Sequence, residues 1–258
     1  MRLLVTNDDG IGSVFLHDLV AALVAVGHEV FVAAPRHEQS WIGAAKSRNR
    51  PVSSARAEPV GGSRSWVVDG TPSDCVNIAI DHLLPARPEA VISGINVGLN
   101  ASLGFIIASG TVAGAWEGAL HGLPAIAFSQ DVTVDEYESL KKCGGQPAAA
   151  LRAVVSVSAA HAARLVPDLL AQTQGRPFII HNVNFPQTCR PDTPVRRTVP
   201  AHMLVPKLFT AQGDDGTHRL IFRLGDDVSP PALATDRAAL IAGEISHSVL
   251  DYTRLGVI

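Results

Sequence analysis

The chain has 258 residues, of which 47% are hydrophobic and 17% charged, and its net charge is −3. That much apolar material excludes a disordered chain, and a mildly acidic sequence without a basic block argues against duplex nucleic acid as a partner. An anionic substrate would therefore need local help from a cation or a helix N-terminus. Arg2–Thr6 is an apolar run that predicts a strand, and Asn7, Asp8 and Asp9 interrupt it too soon for a signal peptide. Residues 14–26 have helical periodicity and stop at Gly27. Residues 30–34 predict a strand, 36–64 form a polar stretch with little periodicity, and 66–68 predict another strand. Thr71-Pro72-Ser73-Asp74 is a helix start with Thr71 as cap, Pro72 in the first position and Asp74 closing a capping box; the helix should run to about Leu84.

Residues 90–93 predict a further strand, followed by a loop rich in glycine and asparagine. Ser109-Gly110-Thr111 opens a helix through His121, and 125–129 form the next strand. The alanine-rich run 148–163 carries Arg152, Ser156, Ser158 and His161, which predicts a buried helix rather than a membrane span. After a strand at 178–183, prolines recur at 186, 191, 194 and 200. The run 219–224 and the turn Gly213-Asp214-Asp215-Gly216 predict hairpins, and 235–249 a short helix and strand. The alternation predicts an α/β fold: a Rossmann-like, doubly wound, mostly parallel sheet with C-terminal β-hairpin extensions. One domain over 1–258 is expected, with an α/β core at about 1–185 and added elements at about 186–258. Cys75, Cys143 and Cys189, odd in number and far apart, suit reduced thiols in the cytoplasm.

In such a sheet, ligands sit beyond the carboxyl ends of the strands. Asp8 and Asp9 follow the first strand directly. Adjacent, partly desolvated carboxylates repel, and a cation relieves both costs; hard oxygen ligands favour magnesium, manganese or calcium over zinc. A solvated Asp-Asp-Gly turn is the bland alternative, which the strand-end position disfavours. Ser109-Gly110-Thr111 reads as a phosphate cradle, since glycine at a helix start lets an anion approach the free N–H groups. An ordinary serine cap would look the same. Asn96, in Ser93-Gly94-Ile95-Asn96-Val97-Gly98, offers a metal an oxygen or a phosphate a donor, or simply sits in a left-handed turn. A dinucleotide fingerprint, a Walker loop and a nucleophile elbow are all missing. His17, His28 and His121 fall on predicted helices or their ends and read as structural. His37, in the loop with Ser40, is the better general-acid candidate.

The segments 6–10, 34–40, 70–76, 93–100 and 109–118, in that order, resemble the SurE nucleotidases: Asn-Asp-Asp-Gly, Ala-Pro-x-x-x-Gln-Ser, Gly-Thr-Pro-x-Asp-Cys-Val, Ser-Gly-Ile-Asn-x-Gly-x-Asn and Ser-Gly-Thr-Val-x-x-Ala-x-Glu-Gly. Asn182-Val183-Asn184-Phe185-Pro186, and Thr235-Asp236 onward to Ser246, are similar to the family too. The resemblance implies a phosphoric monoester hydrolase acting on nucleoside monophosphates or a related small phosphorylated metabolite. It implies one divalent ion per subunit held by Asp8, Asp9, Ser40 and Asn96, with Asp8 and Asp9 catalytic. It implies phosphate contacts at Ser109, Gly110 and Thr111, with Asn96 nearby, and a homodimer or homotetramer that exchanges C-terminal elements. Which aspartate would act as base or nucleophile stays open. The rim departs from the family: Trp41 stands where a glycine is usual, Ala108 where a tyrosine is usual, and 103–107 are apolar where acidic residues are frequent. These departures predict retained phosphoester chemistry with altered substrate choice. The alternative is a catalytically weak regulatory protein that binds a nucleotide or phosphate.

Overall fold

Parallel strands buried on both faces need near-continuous apolar runs, and β1 (Arg2–Thr6) supplies one. Leu3 and Val5 point to one side, Leu4 to the other, and all three are inaccessible to solvent. The computed structural model describes residues 1–255. Within it the chain proceeds through α1 (Val14–Ala25), β2 (Glu29–Pro35), β3 (Ser54–Val60), β4 (Ser63–Val68), α2 (Pro72–Ile78), β5 (Ala90–Val97), α3 (Leu103–Ala108), α4 (Gly110–Leu120), β6 (Ala125–Gln130), α5 (Val134–Lys142), α6 (Ala149–Thr173) and β7 (Ile179–Phe185). It continues with β8 (Val195–Thr198), β9 (Met203–Leu204), β10 (Asp226–Asp227), α7 (Asp236–Ile241) and β11 (Ile245–Asp251). The end of the added elements expected at about 186–258, residues 256–258, lies outside the described residues.

Nine strands form one sheet in the order β3-β4-β2-β1-β5-β6-β7-β11-β8. The run from β4 to β7 is parallel throughout. The chain winds outward from β1 toward β4 and then returns to the other side of β1 with β5, so the switch point lies between β1 and β5. One face is covered by α1 and α6, whose Phe15, Leu19, Val155 and Val166 pack with Val5, Ile92 and Phe128. The other is covered by α2 and α4, whose Val76, Val112 and Ala115 pack with Leu4 and Val91. The predicted α/β, doubly wound, mostly parallel arrangement is the one observed. Helix α6 is long and apolar enough to cross a membrane by composition. Here its buried side chains, among them Leu151, Val155, Ala162, Val166 and Leu169, form the inner face against the sheet.

The capping boxes at Thr71/Asp74 and Thr133/Glu136 are both formed. Helix α2 then widens into a π-helical turn over Ala79–Leu83, ending at the predicted Leu84. Three elements depart from expectation. Strand β3 lies within the stretch read as unstructured; it pairs only with β4, at the sheet edge, and is mostly exposed, so it carries no apolar alternation. The run 219–224 is not a strand. It makes one antiparallel bridge, Phe209 with Leu220, flanked by Thr210 N–H to Arg219 C=O at 2.9 Å and Ile221 N–H to Leu208 C=O at 2.7 Å, so the expected hairpin around 213–216 is a short, irregular one, and β9 pairs with β10 below it. The C-terminal segment instead enters the main sheet: β11 runs antiparallel to β7, and β8 joins the outer side of β11.

Candidate functional site

Three strand ends and a helix start meet at the switch point. Asp8 and Asp9 follow β1, the 35–40 loop follows β2, Asn96 lies near the end of β5, and α4 begins beside them. Backbone bonds lock these loops together: Gln39 N–H donates to Asp8 C=O at 2.7 Å, Ile11 N–H to Pro35 C=O at 2.9 Å, and Gly43 N–H to Ala108 C=O at 2.9 Å. Asp9 Oδ2 accepts from Val97 N–H at 3.0 Å, and the Thr111 hydroxyl donates to Asp8 Oδ1.

Helix α4 approaches so closely because one of its faces is glycine. Gly110, Gly114 and Gly118 recur every fourth residue and so share a face. A methyl group at Gly114 would lie 2.8 Å from Thr6 Cγ2, and one at Gly118 would lie 2.6 Å from Val91 Cβ. At Gly110 it would lie 2.8 Å from Asp8 Cβ, so the helix N-terminus rests directly on the Asp8 side chain. Ser109 caps the helix by accepting from Val112 N–H at 3.0 Å.

A cleft of about 1020 Å³ opens over this junction, lined by Asp8, Ser40, Asn96 and Ser109 at one end. Asp8 is 3% exposed. Burial pushes its carboxyl up to about 6 from an ordinary 3.8, against the lowering effect of the Thr111 hydroxyl. Burial and then the neighbouring Asp8 charge raise Asp9 well above the usual carboxylate range. Glu38, which also lines the cleft, adds to both. Two carboxylates held in this way are destabilised as anions, and a cation between their oxygens removes that cost. Ser40 is exposed, and its hydroxyl donates to Glu38 at 2.7 Å. The Asn96 amide donates to Gly98 C=O at 2.6 Å, which leaves its carbonyl oxygen as the available acceptor. Among the described residues no three His, Cys, Asp or Glu side chains gather as a metal cluster. Any ion here would draw on two carboxylates completed by hydroxyl and amide oxygens, a hard set.

Of the residues singled out from sequence, Asp8, Ser40, Asn96 and Ser109 line one cleft, and Asp9, Gly110 and Thr111 adjoin them in the chain. Two details were not visible there. The Thr111 hydroxyl and backbone both turn to Asp8. Glu38 shares the loop of Ser40, two residues away, and that proximity was the available signal. His37 does not line the cleft. His17 and His121 are held within the fold, by Ile11 C=O at 2.8 Å and by the Asn77 amide oxygen at 2.9 Å.

The loop after β5 is fixed from behind. Asn100 N–H donates to Asn184 Oδ1 at 2.7 Å, and the Asn182 amide donates to Asn100 C=O at 2.8 Å. Asp236, fully buried at the start of α7, accepts from Ser102 N–H at 2.8 Å and from Ala201 and Arg237 N–H. The C-terminal elements thus hold the loop that carries Asn96.

Residues 3–205 match the family model described as "Survival protein SurE". The chain belongs to the SurE family. Curated relatives named 5'-nucleotidase SurE include those of Trichormus variabilis, 37% identical over 72% of this chain, and Solidesulfovibrio magneticus, 46% identical over 51%. The match covers 64% of the first relative's length and 51% of the second's. The Methylocella silvestris relative is 38% identical over 74% of this chain and 69% of its own length. A solved SurE protein from Aquifex aeolicus shares the fold, with a TM-score of 0.68 over 100% of this chain and 98% of that one, at 24% identity. Within this SurE chain, the Asp8–Asp9 turn and the Ser109 helix start both fall inside the matched residues.

Proposed function

We propose that this chain is a divalent-metal-dependent phosphatase that hydrolyses phosphate monoesters, nucleoside monophosphates or a related small phosphorylated metabolite among them. The observation that carries the reading is buried Asp8, with half-buried Asp9 beside it, abutting the N-terminus of α4 at the edge of the cleft, an arrangement that supports a cation site in contact with an anion site. The relatives named 5'-nucleotidase SurE support it.

Asp8, Asp9, Ser40 and Asn96 are the residues proposed to hold the ion, magnesium or manganese, with calcium accepted by the same oxygens. When bound, the ion supplies Lewis acidity and lowers the pKa of water. The chain supplies the rest. The N-terminus of α4 at Gly110 would meet the phosphoryl oxygens and stabilise charge as it grows in the transition state. Thr111 orients Asp8 through its hydroxyl, and Val97 N–H orients Asp9. The glycine face of α4 keeps this helix start at a fixed distance from the carboxylates. Phosphate release from a simple ester, measured with manganese, with magnesium and with chelator, tests the proposal. Release that persists at the same rate in chelator, or no release with any of these ions, would refute it.

The C-terminal elements from about residue 186 are proposed to contribute to a homodimer or homotetramer. Their exposed Leu204, Phe209, Phe222 and Val228 support this. Sedimentation at micromolar concentration should show no monomer. A reducing compartment such as the cytoplasm suits the free thiols of Cys75, Cys143 and Cys189.

A further inference from the structure

The cleft has two unlike ends. Asp8, Asn96 and Ser109 line one; the other is walled by an aromatic row. Trp41 meets Phe105 edge-on at 5.5 Å between ring centroids, and Phe105 meets Phe222 at 5.8 Å. Leu220 and Leu224 extend the wall. Phe105 is buried, but Trp41 is 39% exposed, Phe222 54% and Leu220 48%. A contiguous apolar surface of this kind marks a binding site. It is continuous with the polar end through adjacent residues, since Trp41 follows Ser40 and Ala108 precedes Ser109.

Several polar groups along this wall are already engaged. Thr133 exchanges bonds with Glu136 in its capping box, at 2.8 Å and 3.1 Å. The Asn100 amide donates to Ser129 at 2.8 Å. Lys141 is drawn to Glu138 at 3.5 Å and lies over the Tyr137 ring, while burial raises the Asp131 carboxyl against the opposing effects of Gln187 and Arg237. The aromatic row itself offers area and dispersion contact rather than hydrogen-bond readout. Trp41 also has φ +62°, a conformation that glycine adopts freely and an indole does not, and it places the ring on this wall. A cleft of about 1020 Å³ is far larger than the phosphate end alone requires.

We propose that the cleft selects a phosphate monoester whose alcohol portion is large and apolar, with the Trp41–Phe105–Phe222 row as its recognition surface. This rests on the phosphatase reading and adds the substrate class to it. A small alkyl ester uses the wall poorly, and a nucleoside monophosphate, whose base can stack on the rings but whose sugar and base edges need polar partners, uses it less fully than an all-apolar group of the same size.

The test uses the full chain with manganese and a series of alkyl esters with matched leaving-group chemistry: methyl, butyl, octyl and naphthylethyl phosphate, with a nucleoside monophosphate beside them. Expected is a kcat/KM for octyl and naphthylethyl phosphate at least about tenfold above that for methyl phosphate, the scale on which apolar pockets discriminate, and above that for the nucleotide. In Phe222→Ala and Trp41→Gly the naphthylethyl-to-methyl ratio should fall by about tenfold. Equal kcat/KM for octyl and methyl phosphate overturns the proposal. So does a preference for the nucleotide that Phe222→Ala leaves alone, or a Phe222→Ala variant whose sedimentation changes while its substrate ratio does not, because the wall is then a subunit contact. If no ester is hydrolysed, the phosphatase reading falls by itself. The wall is then judged by calorimetry with naphthylethylphosphonate against methylphosphonate: tighter binding of the former by at least about tenfold supports it, and equal binding overturns it.

Discussion

Replacing Asp8 by asparagine removes a charge from a place where burial holds the carboxyl at about 6 instead of 3.8. The unfolded chain ionises this group at its ordinary value, so at neutral pH folding carries a carboxylate into surroundings that disfavour it. The difference costs on the order of 3 kcal/mol of stability. Because the folded pKa is the higher one, metal-free native protein is most stable in acid and loses that stability as pH rises from 3.8 through about 6. Asparagine has nearly the same volume and keeps the oxygen that accepts from Thr111. The metal-free variant should therefore melt higher than the metal-free native chain at neutral pH, by roughly 5–10 °C for a chain of this size. It should also lose part of the native chain's gain on mild acidification. Added magnesium or manganese should raise the native melting temperature and leave the variant unchanged, and the variant should release no phosphate. Differential scanning calorimetry with and without chelator reads all of this. A variant that melts lower than the native chain without metal, or that metal stabilises equally, would refute the account of the buried pair.

Three further substitutions follow from the packing. Gly118→Ala places a methyl group 2.6 Å from Val91 Cβ, so α4 must shift outward; urea unfolding should show a loss of about 1–3 kcal/mol, with activity reduced because Gly110 moves with the helix. Asp236→Ala strips one buried acceptor from three backbone N–H groups; a loss of about 3 kcal/mol is expected, and Asp236→Asn should recover part of it in the same melt. Lys46→Met removes the cation paired with Glu117, which is 1% exposed and otherwise held by Asn77 at 2.8 Å; chemical denaturation should show a cost of about 1–3 kcal/mol, which Lys46→Arg largely avoids.

What could be read in the sequence was whatever local chemistry decides. Strands such as β1 and β6 are apolar on both faces, so they stand out as runs, and the Thr71 and Ser109 helix starts carry their own capping residues. The convergence of Asp8, Asn96 and Ser109 followed from the rule that ligands gather at strand ends. Strand β3 escaped because an exposed edge strand with Glu58 and Pro59 has no need of apolar alternation. The run 219–224 forms its expected hairpin only as an isolated bridge to Phe209 with two flanking backbone bonds, too short to count as a strand. The pairing of Thr111 with Asp8 and the Asp236 anchor depend on residues brought together from far apart in the chain, and nothing local signals them.

The position of β11 between β7 and β8 imposes an order in time. Strand β8 is synthesised first but has no neighbour in the sheet until β11 arrives, because β11 alone pairs with it. As the chain leaves the ribosome, the half that carries the Asp8 and Ser109 loops can collapse early around its own short crossovers. The edge of β7 then stays bare until β11 has emerged. Closing it requires joining segments 62 positions apart (Asn184 meets Ser246), and such long-range pairing is slow. During that interval the nascent protein presents an unpaired strand edge, the feature most prone to capture by another chain, so faulty association is concentrated in the final steps of its folding.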